Sequence, residues 1–73
     1  MKKTITDDDY KVFIKRLKKA RVEADLTQVQ AAKKLGATQA YISKVEKGQL
    51  RVDVTQLKQF AKVYGKDTSY FLK

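Results

Sequence analysis

Leu26 to Gly48 reads LTQVQAAKKLGATQAYISKVEKG, and the fold turns on this stretch. Thr27 followed by Gln30 three positions later is a capping box, in which a hydroxyl and an amide satisfy each other's backbone N–H groups at a helix start. That helix runs to about Leu35, with Ala31, Ala32 and Leu35 facing inward. The two adjacent alanines let a neighbouring helix approach closely. Gly36 takes a positive φ without steric cost and ends the helix sharply. Thr38 caps a second short helix that ends near Glu46, with Gly48 just beyond it and Ile42 and Val45 as its buried edge. Helices of about eight residues do not hold in water alone, so both need a floor built from the rest of the chain.

The flanks supply that floor. Asp7, Asp8 and Asp9 place negative charge where a helix begins, complementing its dipole. From Tyr10 the apolar residues Phe13, Ile14, Leu17, Ala20 and Ala24 form a helical stripe with lysines opposite, which predicts a helix to about Glu23 or Ala24. Asp53 and Gln56 repeat the capping-box spacing. A further helix follows, with Val54, Leu57, Phe60, Ala61 and Tyr64 at core spacing and Gly65 as its stop. Asp67 or Thr68 starts a last short turn carrying Tyr70, Phe71 and Leu72. There is no proline and no sustained alternation of apolar and polar residues. The expected fold is all-α, four helices and a short fifth, in one domain spanning 1–73 with residues 1–6 a loose end.

Composition narrows the function. The chain has 73 residues, 17 Lys plus Arg against 8 Asp plus Glu, and a net charge of +9. The excess is +3 in each of 1–26, 27–50 and 51–73, so any basic patch forms only on folding. Cysteine and histidine are absent, which excludes disulfides, thiolate metal sites and the commonest general base. With no glycine-rich phosphate loop and no clustered carboxylates in a pocket, no enzyme site, cofactor or metal is expected. The Asp7-Asp8-Asp9 run is better explained as a solvated helix start than as a cation site. No apolar run approaches the ~20 residues needed to span a bilayer, and the lysines near the start precede no apolar stretch of the kind a signal peptide carries. The setting expected is cytoplasmic.

The layout of Thr27–Lys47 is that of a helix-turn-helix, which lays its second helix in the major groove of DNA. The outer face of that helix carries Thr38, Gln39, Ala40, Tyr41, Ser43, Lys44 and Lys47. Glutamine can pair bidentately with an adenine edge, alanine and threonine methyls can touch a thymine methyl, and lysine can donate to guanine. Hydroxyls can donate to phosphate oxygens. Gln28, at the start of the preceding helix, is expected to point its amide and backbone N–H groups at phosphate. Each position also has a plainer role: Thr38 caps its helix regardless, Gln39, Ala40, Ser43 and Lys44 are ordinary surface residues taken singly, and Tyr41 could lay part of its ring on the first or second helix.

Across Phe13–Leu72 the chain resembles the Cro/cI-type helix-turn-helix regulators of bacteria and phages, the XRE family. The likeness is carried by Leu17 with Arg21, by Leu26-Thr27-Gln28, by Ala32 and Gly36, by QAYISKVEKG over Gln39–Gly48, and by Leu57 to Leu72. It implies a lambda-repressor-like fold and double-stranded DNA as partner. By resemblance, Gln39, Ala40 and Lys44 match base-reading positions; Gln28, Tyr41, Ser43 and Lys47 match backbone contacts; Thr38 falls among the DNA-contacting positions; Arg51 matches a frequent phosphate contact. Arg21 and Glu46 match a partly buried ion pair that ties the first helix to the end of the third. Three positions depart from the pattern. Asp25 stands where the family favours glycine, Asp53 near where many members place proline, and Ala40 offers no hydrogen bond where one is often made.

The expected function is a sequence-specific transcriptional regulator, a repressor, that places helix 38–46 in the major groove and acts as a homodimer. Tyr64, Tyr70, Phe71 and Leu72 leave two readings level, a dimer surface or the completion of the monomer's own core. The alternative function is a protein-interaction module of the same fold, such as an antitoxin or adaptor, recognised by binding that survives loss of the Gln39, Ala40 and Lys44 face. A membrane-surface helix over Tyr10–Ala24 would require Phe13 and Leu17 to leave the core.

Overall fold

The computed structural model describes residues 7–72, and the loose end expected over residues 1–6 lies outside them. Four α-helices and a 3₁₀ turn follow in order: α1 (Asp7–Glu23), α2 (Gln28–Leu35), α3 (Gln39–Glu46), α4 (Val54–Tyr64) and the turn Thr68–Phe71. The architecture is the all-helical one expected. No strand occurs among the described residues, and none of the helices is long and apolar enough to cross a membrane.

Each short helix begins at the cap its sequence announces. The Gln30 N–H donates to Thr27 Oγ1 (3.1 Å) while Gln30 Oε1 accepts from the Thr27 N–H (2.9 Å). Thr38 Oγ1 accepts from the Tyr41 N–H at 3.1 Å. Asp53 and Gln56 exchange the same pair of bonds, both 2.8 Å, so aspartate opens α4 in place of a proline. At its other end α2 closes on Gly36, φ 68°, with the Ala37 N–H reaching back to the Ala32 carbonyl (2.8 Å). That closure satisfies carbonyls the helix end would leave without partners. α1 closes in the same manner, the Leu26 N–H bonding the Arg21 carbonyl (3.2 Å), but there the left-handed position is held by Asp25 at φ 58°.

The core forms where α1 and α4 lie under the α2–α3 pair. Ile14, Leu17 and Ala20 of α1, Ala31 and Ala32 of α2, Ile42 and Val45 of α3, and Leu57, Phe60, Ala61 and Tyr64 of α4 are buried together with Phe71. Phe13 extends this core, its ring edge-on to Phe71 at 6.4 Å between centroids. The apolar stripe of α1 is thus taken up by the fold, with Leu17 buried and Phe13 packed on the core, so a membrane role for that stripe would require unfolding. Val54 departs from the expected core, being 68% exposed. It is the first residue of α4, one turn beyond Leu57, and there the stripe runs past the edge of the packed region. The C-terminal aromatics divide as well. Tyr64 and Phe71 belong to the core and Tyr70 is half-buried, while Leu72 faces solvent.

Candidate nucleic-acid interface

α3 has two unlike edges because its apolar residues fall three apart. Ile42 and Val45 turn inward and are essentially without solvent contact. Thr38, Gln39, Ala40, Lys44 and Lys47 are exposed along the outer edge, with Ser43 partly so. No part of the described chain folds over that edge.

The pitch of α3 is fixed by a polar chain running through three helices. Arg21 of α1 grips Glu46, at the C-terminal end of α3, with two bonds: Nε to Oε2 at 2.7 Å and NH2 to Oε1 at 3.2 Å. Its remaining nitrogen, NH1, donates to the Leu26 carbonyl at 2.8 Å. The two side chains are 10% and 6% exposed, so the pair is nearly dry. The hydrogen bond to Glu46 holds the Arg21 guanidinium above its ordinary pKa, against the opposing effect of burial. Glu46 Oε1 also accepts from Gln28 Nε2 at 3.1 Å, and Gln28 Oε1 accepts from Gln39 Nε2 at 2.6 Å. The chain Arg21–Glu46–Gln28–Gln39 therefore links α1, both ends of α3 and the start of α2.

This geometry is a helix-turn-helix with its second helix uncovered. A helix-turn-helix family profile matches residues 17–71. The chain belongs to the XRE-type helix-turn-helix family. The match takes in all of α2, α3, α4 and the final turn, and the family is one of DNA-binding regulator domains. No curated protein matches the chain.

Within this helix-turn-helix domain two residues sit differently from their expected placement. Gln28 does not project its amide outward. It is half-buried, with its amide laid along the protein between Glu46 and Gln39. Tyr41 is half-buried instead of standing clear on the outer edge of α3. Its ring stacks on Phe60 of α4, 6.4 Å between centroids and 10° from parallel. The period that exposes Gln39 and Ala40 carries position 41 round towards α4, and a large apolar ring takes the contact. Burial pushes the Tyr41 hydroxyl above the ordinary phenol range, so it keeps its proton and can donate one.

Arg51 is exposed in the loop after α3, with its guanidinium 4.0 Å over the ring of Tyr10. The Tyr10 hydroxyl donates to the Leu50 carbonyl and accepts from the Val52 N–H, both at 3.2 Å. One α1 side chain thereby holds the loop that carries Arg51. Sequence reading takes Tyr10 only as the start of a stripe, since its partners lie about forty residues away with no local signal. Tyr64 is buried beside the Arg21–Glu46 pair; burial, with the Glu46 carboxylate adding, pushes its hydroxyl far above the usual range and keeps it neutral. Among the described residues no three His, Cys, Asp or Glu side chains gather where a metal could sit.

Proposed function

We propose that this domain is a sequence-specific repressor that reads double-stranded DNA with the outer edge of α3 and acts as a homodimer in a bacterial or phage-infected cytoplasm. The observation that carries the reading is the uncovered edge Gln39, Ala40, Lys44, standing on a helix whose tilt is locked by Arg21 and Glu46. Gln39 is held ready by Gln28. One of its amide hydrogens is engaged there, which leaves the other and the carbonyl oxygen for the two edge atoms of an adenine. Ala40 offers a methyl contact and Lys44 a donor for guanine. Thr38, Ser43, Lys47, Arg51 and the Tyr41 hydroxyl, with the first turn of α2 at Gln28, supply contacts to the phosphate backbone, which set register without reading sequence.

One short helix covers only a few base pairs, so a second copy on a half-site about 34 Å away supplies specificity one cannot. A bound dimer blocks whatever else must use that stretch of duplex, and repression follows. Selection from a random duplex library tests the reading. An enriched palindrome supports it; a pool with no consensus after repeated rounds contradicts it.

A further inference from the structure

Tyr10, Lys11 and Lys15 of α1 face Glu46, Lys47 and Arg51 across an open cleft of about 490 Å³. Four of these six side chains are cations. The carboxylate among them is already engaged, both Glu46 oxygens being bonded to Arg21 and one also to Gln28. Lys11 and Lys15 are exposed and one helical turn apart on α1, a like-charge spacing that weakens a helix. Folding then brings this pair up to two further positive charges. The Tyr10 hydroxyl, bonded to Leu50 and Val52, fixes the facing loop and with it the opening of the cleft. The groove on the opposite side, lined by Lys34, Leu35, Gln59, Lys62 and Val63, has two cations, against four gathered on the two facing walls of this cleft.

We propose that this cleft seats a phosphodiester of the duplex beyond the C-terminal end of the reading helix, with Lys11 and Lys15 of α1 as phosphate contacts alongside Lys47 and Arg51. The proposal rests on the DNA-binding reading and extends the interface onto α1. α3 has eight residues and is therefore ~12 Å long, comparable to the ~12 Å width of the major groove. Groups at its two ends can then reach the two backbones flanking that groove, Thr38 at its N-cap on one side and the cleft on the other. Lysine ammonium groups bind phosphate as point charges whatever the neighbouring base. The cleft therefore adds affinity and register without altering sequence preference.

The test compares Lys11→Ala/Lys15→Ala with Lys34→Ala/Lys62→Ala, which removes the same charge from the opposite groove, on a duplex taken from the selection. Affinity is measured across salt concentrations, with a thermal melt confirming that each variant folds. Each phosphate contact contributes about 0.9 to the slope of log affinity against log salt. Loss of two lowers the slope by about 1.8, so the α1 variant loses roughly tenfold less affinity than wild type between 50 and 200 mM salt. The expected result is that drop for the α1 variant, an unchanged slope for the control and the same base preference in both. Equal slopes for the two variants would overturn the proposal in favour of diffuse charge. So would inorganic phosphate binding to the wild type, lost in the α1 variant, alongside an unchanged duplex slope, since the cleft would then hold free anions only. If the wild-type protein bound no duplex at all, the DNA reading itself would fall; if it bound with the α1 slope intact, only the cleft assignment would.

Discussion

Asp25 is the single non-glycine residue with positive φ among the described residues, at 58°. A left-handed conformation costs an L-residue roughly 1–2 kcal/mol, while glycine in its place returns roughly 0.5–1 kcal/mol of chain entropy to the unfolded state. Asp25→Gly is therefore expected to raise stability by about 0.5–1 kcal/mol, read as a higher midpoint in urea. Gly36 shows the converse. There is open space where a Cβ would stand, so a substitution there is opposed by backbone conformation and not by crowding. Single residues with local chemistry were the most legible part of the chain. Thr27, Thr38 and Asp53 bond the backbone groups three residues on, and the positive φ at Gly36 needs no knowledge of the rest of the molecule. Val54 and Tyr41 were misread because their environment is set by where α4 begins and by what it presents, which no local spacing encodes.

At the scale of the elements, α3 is aimed by Arg21 and Glu46. Removing one partner strands a charge that is nearly dry, so Glu46→Ala should cost about 3–5 kcal/mol. Replacing both with apolar residues of similar volume, Arg21→Met with Glu46→Leu, should recover most of that loss, because a buried pair gains little over a well-packed apolar one. Urea melts of the single and double variants check this. DNA affinity should stay low in the double variant even where stability returns, since Gln28 and Gln39 lose their anchor. A second tie has a pH signature. Lys66 Nζ lies 2.8 Å from Glu23 Oε1. The hydrogen bond from Lys66 lowers the Glu23 pKa and raises that of Lys66 itself, against opposing burial. A carboxylate pKa depressed by folding stabilises above the unfolded value of about 4.3 and loses that contribution as pH falls through the folded one. A raised lysine pKa stabilises below the unfolded value of about 10.4 and loses it as pH rises further. Lys66→Met should lower the melting temperature slightly near neutral pH, and the gap from wild type should narrow in strong acid and strong base, the contact of Lys66 with the Tyr70 ring (4.7 Å) remaining in acid. The existence of α1 to α4 was legible from period and caps; these ties between elements were not, apart from the Arg21–Glu46 pair that the family resemblance implied. The Gln28 bridge forms only once the turn at Gly36 has brought two helix starts together.

For the molecule as a whole, the positive charge is spread evenly along the sequence, and only folding gathers part of it on the side bearing the outer edge of α3 and the α1 cleft. Net charge of +9 admits many acidic partners; an uncovered helix edge with a glutamine, a methyl and a lysine at reading spacing is more specific. Self-association was least legible. Tyr64 and Phe71 are spent inside the monomer, so the proposed two-fold contact cannot draw on them. The most direct measurement is an amide NMR titration of the protein with a duplex from the library selection. The largest shifts are expected at Gln28, Gln39, Ala40 and Lys44, with Lys34, Gln59 and Lys62 in the opposite groove unmoved. Shifts concentrated in that groove, with the outer edge of α3 silent, would contradict the placement of this helix in the duplex.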